Sequence, residues 1–291
     1  MCRLFFSYNK INNEKSKEKT LKALLYFFDT CEKQDINDGY GLSWLQDTEP
    51  NKNATWNTIK NNVSFHEDIQ TQEKIKNILL NARVILAHAR NINKIDKSIE
   101  DIHKENIIQN THPIIYKNDI FMHHGDLLLN TSEALHGYQR SKHIPLFRKR
   151  IQQLTNNIDT SLIKEIKGTT DSEIILHLFL SVQKKNKQQN IYKEQEDLII
   201  SSFMKTIYII EETQLENISN IFYVSGDYIL IAKINKNKSN IFKKGLDIFY
   251  KITENNIIVT SIRLNIKYQP IKDNNMAIIN YKQGLIKFFI L

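Results

Sequence analysis

The chain opens MCRLFFSYN (residues 1–9), a cysteine followed by a run rich in aromatics and closed by polar residues. Such a run reads as a strand, 3–9, entering a hydrophobic core. Cys2 stands one peptide bond from Met1. If that bond were cut, the thiol would sit beside its own α-amine. An unperturbed α-amine titrates at about 8, so it can take the thiol proton near neutral pH. A nucleophile activated by its own terminal amine is a known catalytic device. The competing reading of Cys2 is a small core residue.

The composition around this opening narrows the classes. A chain of 291 residues, 41% hydrophobic and 10% aromatic, can bury a sizeable core. No apolar run approaches the roughly 20 residues that a membrane-spanning helix needs. Nor does the opening stretch contain a signal-peptide core. The two cysteines, Cys2 and Cys31, are too few for a disulfide framework. A cytoplasmic protein is expected, with no membrane association. The net charge is +8, but the lysines are scattered among asparagine and isoleucine. Without zinc-finger spacing or an aromatic-rich basic stripe, no nucleic-acid partner is expected.

Further along, KTLKALLYFFDTC (19–31) places Leu21, Leu24, Leu25 and Phe28 on one helical face. GYGLSWL (39–45) and VILAHAR (84–90) read as strands, and 67–82 as a helix bearing Ile69, Ile75, Ile78 and Leu79. IIYKNDIFMHHG (114–125) reads as a hairpin turning at Lys117-Asn118-Asp119, with His124-Gly125 at its end. Helices are expected over 171–185 and 191–214. Strands then return as a hairpin over 219–234 through Gly226-Asp227, a strand over 257–264, and a terminal hairpin over 276–291 through Gln283-Gly284. The polar stretches 91–106 and 184–190 read as insertions. Strands at both ends with helices between predict an α+β fold in which the two ends share sheets.

Four stretches carry candidate chemistry: MCRLF, AHAR (87–90), NTHPIIYKNDIFMHHG (110–125) and GTTDSE (168–173). Arg90, at the end of a buried strand, offers a rigid fork for a carboxylate, or half of an ion pair. Asp171, at a helix start, can meet an ammonium or cap the helix. Gly125 can present a backbone N–H to an oxyanion. His88, His112, His123 and His124 could suggest a metal, but neighbouring strand residues point to opposite faces. His123 and His124 therefore cannot share one ion, and neither a metal nor a cofactor is expected.

In this order the stretches resemble the class II glutamine amidotransferases, N-terminal-nucleophile hydrolases. They are most similar to the stand-alone members that include the ergothioneine-pathway γ-glutamyl amidase and a glutathione-degradation subunit. The matching motifs are Met1-Cys2-Arg3, Asp38-Gly39-Tyr40-Gly41, His88-Ala89-Arg90, Asn110-Thr111-His112-Pro113, Phe121-Met122-His123-His124-Gly125 and Thr170-Asp171-Ser172-Glu173. The resemblance covers nearly the whole chain.

It implies a four-layer αββα sandwich, two antiparallel sheets between helical layers, forming one amidotransferase domain over 2–291. It also implies Cys2 as nucleophile and α-amine base once Met1 is removed, with Arg90 on the substrate α-carboxylate and Asp171 on its α-ammonium. His112 lies in the substrate-binding motif, and Gly125 serves the oxyanion. The family's oxyanion asparagine is replaced here by His124. The implied activity is cleavage of the γ-amide of glutamine or a γ-glutamyl compound through a cysteine thioester. Either a separate synthase or partner subunit would receive the ammonia, or simple γ-glutamyl hydrolysis would be the activity. The alternative is a weakened or inactive member of the fold, serving as a binding or regulatory subunit.

Overall fold

The computed structural model describes residues 2–11, 13–46, 55–92, 106–129, 144–236 and 246–291. The N-terminal part runs β1 (Arg3–Asn9), α1 (Glu14–Glu32), β2 (Tyr40–Gln46), β3 (Trp56–Asn61), α2 (Ile69–Leu79), β4 (Ala82–Ala89), β5 (Ile114–Tyr116) and β6 (Asp119–Leu129). Helices α3 (Ile144–Thr155), α4 (Thr160–Ile163), α5 (Asp171–Gln188) and α6 (Gln195–Glu212) follow. The chain then returns to strands: β7 (Leu215–Ser225), β8 (Tyr228–Asn235), β9 (Phe249–Ile252), β10 (Asn256–Thr260), β11 (Gln269–Pro270), β12 (Asn275–Asn280) and β13 (Leu285–Ile290).

The strands form two antiparallel sheets. The first has the order β11-β9-β10-β1-β4-β2-β3 and the second β13-β12-β8-β7-β6-β5. Strand β1 lies inside the first sheet, between β4 and β10. The two ends of the chain therefore share a sheet, as expected. Three apolar layers stack through the molecule. Leu4, Phe6, Val84, Leu86, Met122 and Phe222 lie between the sheets. Phe27, Phe28 and Ile75 cover the outer face of the first sheet. Leu176, Phe179, Phe203 and Ile207 cover the second. This is the αββα sandwich.

Local chemistry explains the elements. Asn13 caps α1 by accepting from the Ser16 amide at 2.8 Å. Leu24, Phe27, Phe28 and Cys31 then form the buried stripe, with the Phe27 ring 5.6 Å from Phe5. The expected face differed: Leu21 and Leu25 are only partly buried, and Phe27 takes the inward position. In α2, Ile75 and Leu79 are buried but Ile69 is exposed. The stretch 184–188 is not an insertion; it is the last turn of α5. Most of the polar stretch 91–106 lies outside the described residues. Among the described residues, no helix is long and apolar enough to cross a membrane.

Candidate active site

Strand alternation assembles the site. Leu4, Phe6 and Tyr8 of β1, Val84 and Leu86 of β4, and Ile120 and Met122 of β6 all face the inter-sheet layer. Continuing the two-residue period places Cys2, His88, Arg90, His124 and Asp126 on that same side. The register Arg3↔Ala89 between β1 and β4 sets Cys2 level with Arg90. Arg90 lies just beyond β4, but its amide still donates to Gly39 O at 2.8 Å.

The Cys2 sulfur accepts from the Asn91 amide at 3.4 Å and lies 3.6 Å from Asn91 O. Burial pushes the Cys2 thiol above its ordinary pKa, and the Asp126 carboxylate adds to this. The Asn91 amide and the Arg90 guanidinium pull the other way. Arg90 is itself buried, and its Nη1 donates to Asn106 Oδ1 at 3.2 Å and Thr111 Oγ1 at 3.4 Å.

The NTHP and GTTDSE stretches, far apart in sequence, form one clasp. Asn110 Nδ2 donates to Thr169 Oγ1 at 3.0 Å, and the Thr169 amide donates to Asn110 Oδ1 at 2.8 Å. Buried Glu173 accepts from the Lys167 amide at 2.8 Å and from the Gly168 amide. The clasp reaches β2 because Gly41 has no side chain. A Cβ there would lie 1.9 Å from His112 O and 2.7 Å from Pro113 Cδ. The backbone of His112-Pro113 can therefore cross the sheet face.

The histidines divide as strand alternation requires. His123 faces the helical layer, where its Nδ1 pairs with Ser172 Oγ at 2.8 Å and its Nε2 with Ser219 Oγ at 2.7 Å. His124 faces the other way, and both its ring nitrogens are buried without a hydrogen-bond partner among the described residues. The same holds for His112, whose ring lies 4.5 Å from that of His88. Burial holds His124 and His112 well below the ordinary imidazole pKa. Neighbouring Arg3 and His88 press His124 further down, and His88 does the same to His112. His88 falls to about 3, chiefly through burial. All three are neutral near pH 7. Among the described residues, no three His, Cys, Asp or Glu side chains are grouped to hold a metal ion.

Two expectations are corrected here. His124 and Gly125 do not end a strand, because β6 continues to Leu129. Gly125 adopts φ +155° opposite Ser219, and a Cβ would lie 2.0 Å from Ile218 O. No side chain fits without breaking the β6–β7 pairing. Gly125→Ala is expected to destabilise the fold by about 3 kcal/mol, measured by urea unfolding. Nor does Asp171 cap α5, since Thr170 holds that position. Asp171 Oδ2 instead accepts from the Leu127 amide at 2.9 Å. Strand β5 pairs with β6 only through Asp119–Phe121, so Asp171 occupies the open edge further along. This ties α5 to the residue beside Asp126.

No protein-family model matches the sequence, and no curated protein sequence matches it. Solved structures do match in shape. A glutamine aminotransferase class-II domain protein from Silicibacter pomeroyi aligns over 99% of both chains, at 14% identity and a TM-score of 0.54. Glutamine phosphoribosylpyrophosphate amidotransferase from B. subtilis, solved with ADP and GMP, aligns at 14% identity and a TM-score of 0.57. That match covers 99% of this chain and 49% of the B. subtilis chain. The chain has the class II glutamine amidotransferase fold. In this amidotransferase fold the open ends of β1 and β4 carry Cys2 and Arg90, and the middle of β6 carries His124 and Gly125. Sequence reasoning missed Asn91, Asp126 and Lys60 as neighbours of the site. Asp126 had a readable signal, lying two residues beyond His124 on one strand. Lys60 had none.

Proposed function

We propose that the chain hydrolyses the γ-amide of glutamine or a γ-glutamyl compound through a thioester on Cys2. The observation that carries this reading is the placing of Cys2 level with Arg90, on the face that also bears His124 and Asp126. With the Met1–Cys2 bond cut, the new α-amine takes the thiol proton and the sulfur attacks the γ-carbonyl carbon. Arg90 holds the α-carboxylate, with His112 beside it, and Asp171 holds the α-ammonium. The Gly125 amide and one N–H of neutral His124 receive the oxyanion. Collapse of the intermediate returns the proton to the leaving nitrogen and expels ammonia or an amine. Water then cleaves the thioester, releasing the γ-carboxylate and restoring the thiol. Ammonia released from glutamine passes to a separate synthase or partner subunit; with a γ-glutamyl compound, simple hydrolysis releases the amine. A free thiol is kept reduced most readily in the cytoplasm, the compartment assigned to this activity.

Mass spectrometry after treatment with diazo-oxo-norleucine tests the reading. The expected product lacks Met1 and carries the label on Cys2. An intact Met1 with an unlabelled Cys2 would leave the binding or regulatory role, which the missing oxyanion asparagine favours. A second test addresses His124 itself. His124→Ala is expected to lower kcat by roughly a hundredfold, because one oxyanion donor is lost. His124→Asn, which restores an amide donor, is expected to keep or exceed the wild-type kcat; steady-state ammonia release measures both.

A further inference from the structure

Lys60 is a second cation at the Arg90 end of the site. It lies on edge strand β3, opposite Gly41 of β2. Its Nζ donates to Thr111 O at 3.0 Å, while Arg90 Nη1 donates to Thr111 Oγ1 at 3.4 Å. An ammonium and a guanidinium are thus held against two oxygens of one residue. The Lys60 stem is half-buried, and burial lowers the lysine pKa from its ordinary value. Glu173 raises it, whereas Arg90 and Lys167 lower it further. The Glu173 carboxylate is already committed to the Lys167 and Gly168 amides. Among the described residues, Lys60 has no carboxylate within ion-pair distance, and one backbone carbonyl uses only one of its three N–H donors.

Two partly desolvated cations that converge on one residue favour an anion beside them. We propose that Lys60 and Arg90 together clamp the substrate α-carboxylate against Thr111, making Lys60 a specificity-determining residue for α-carboxylate over α-amide. This rests on the reading of the site as one for a glutamine or γ-glutamyl group. The clamp explains the position of the NTHP clasp. Crossing β2 at Gly41 brings Thr111 between a strand-edge lysine and a strand-end arginine that no local motif connects. It also narrows the substrate class to γ-glutamyl compounds whose α-carboxylate is free.

Binding separates this inference from the catalytic reading. Titration calorimetry on the full chain would compare L-glutamate with isoglutamine, in which the α-carboxylate is an amide. The wild type is expected to prefer L-glutamate. Lys60→Met is expected to weaken L-glutamate about tenfold and leave isoglutamine unchanged, while Lys60→Arg retains the preference. Matching thermal unfolding curves would show that the variants are folded. The wild-type preference should also fade with rising pH, earlier than an ordinary lysine would deprotonate. Unchanged L-glutamate affinity in Lys60→Met overturns the clamp and leaves the catalytic reading standing. Failure of the wild type to bind L-glutamate overturns both.

Discussion

Cys2→Ala is expected to lower ammonia release from glutamine by about 10⁴-fold or more, since no remaining group in the site can form the acyl bond. The other candidates bind or polarise. In the proposed mechanism Arg90 and Asp171 orient the amino-acid end, and His124 and Gly125 meet developing charge. None of these supplies a nucleophile. Cys31 cannot substitute: it is buried on α1 against the outer face of the first sheet, and burial raises its thiol pKa beyond reach of neutral chemistry. The variant should fold normally, because the change removes one sulfur at a strand end. It should also retain L-glutamate binding. Residual turnover at the wild-type rate would remove Cys2 from the mechanism.

Acid is expected to unfold the protein by about pH 4, because four buried imidazoles resist protonation together. His88, His112, His123 and His124 all lie below the ordinary value of 6.5 in the folded chain, with burial as the leading cause. His123 is lowered to about 4 and His88 to about 3. The unfolded chain takes up protons as pH falls below 6.5, while the folded chain does not. Each group therefore contributes stability that is fully present above 6.5 and is lost as pH falls towards its folded value. Each such proton costs about 1.4 kcal/mol per pH unit, so four cost about 5.5 kcal/mol per unit, against a typical total stability of about 5–15 kcal/mol. Urea midpoints at intervals between pH 7 and 4.5 measure the slope. Replacing His88 by Leu should reduce that slope by about one proton. A flat profile between pH 7 and 5 would mean that these rings are not held neutral.

Strand alternation was legible where strands are fully buried. It set His123 and His124 on opposite faces, and the aromatic-rich run 3–9 matched the bounds of β1. Elements at or near a sheet edge were not legible. Strands β3 (WNTIKN) and β9 (FYKI) carry half-buried, mixed residues with little periodic signal. Helix α1 was found, but its buried stripe is Leu24, Phe27, Phe28 and Cys31, the i, i+3, i+4, i+7 set, with Phe27 against Phe5. The motif residues could be located one by one, but not their joints. The Asn110–Thr169 clasp and the meeting of Lys60 with Arg90 at Thr111 depend on register between distant strands. A single sequence does not print that register.

The position of β1 also sets a schedule. Its two neighbours are β4, near the start of the chain, and β10, near its end. Until the ribosome has released residues 256–260, β1 has one open flank and the inter-sheet layer cannot close. Contacts of such long sequence separation form late and slowly. Cys2, at the head of β1, thus takes its final packing only when most of the chain has been made.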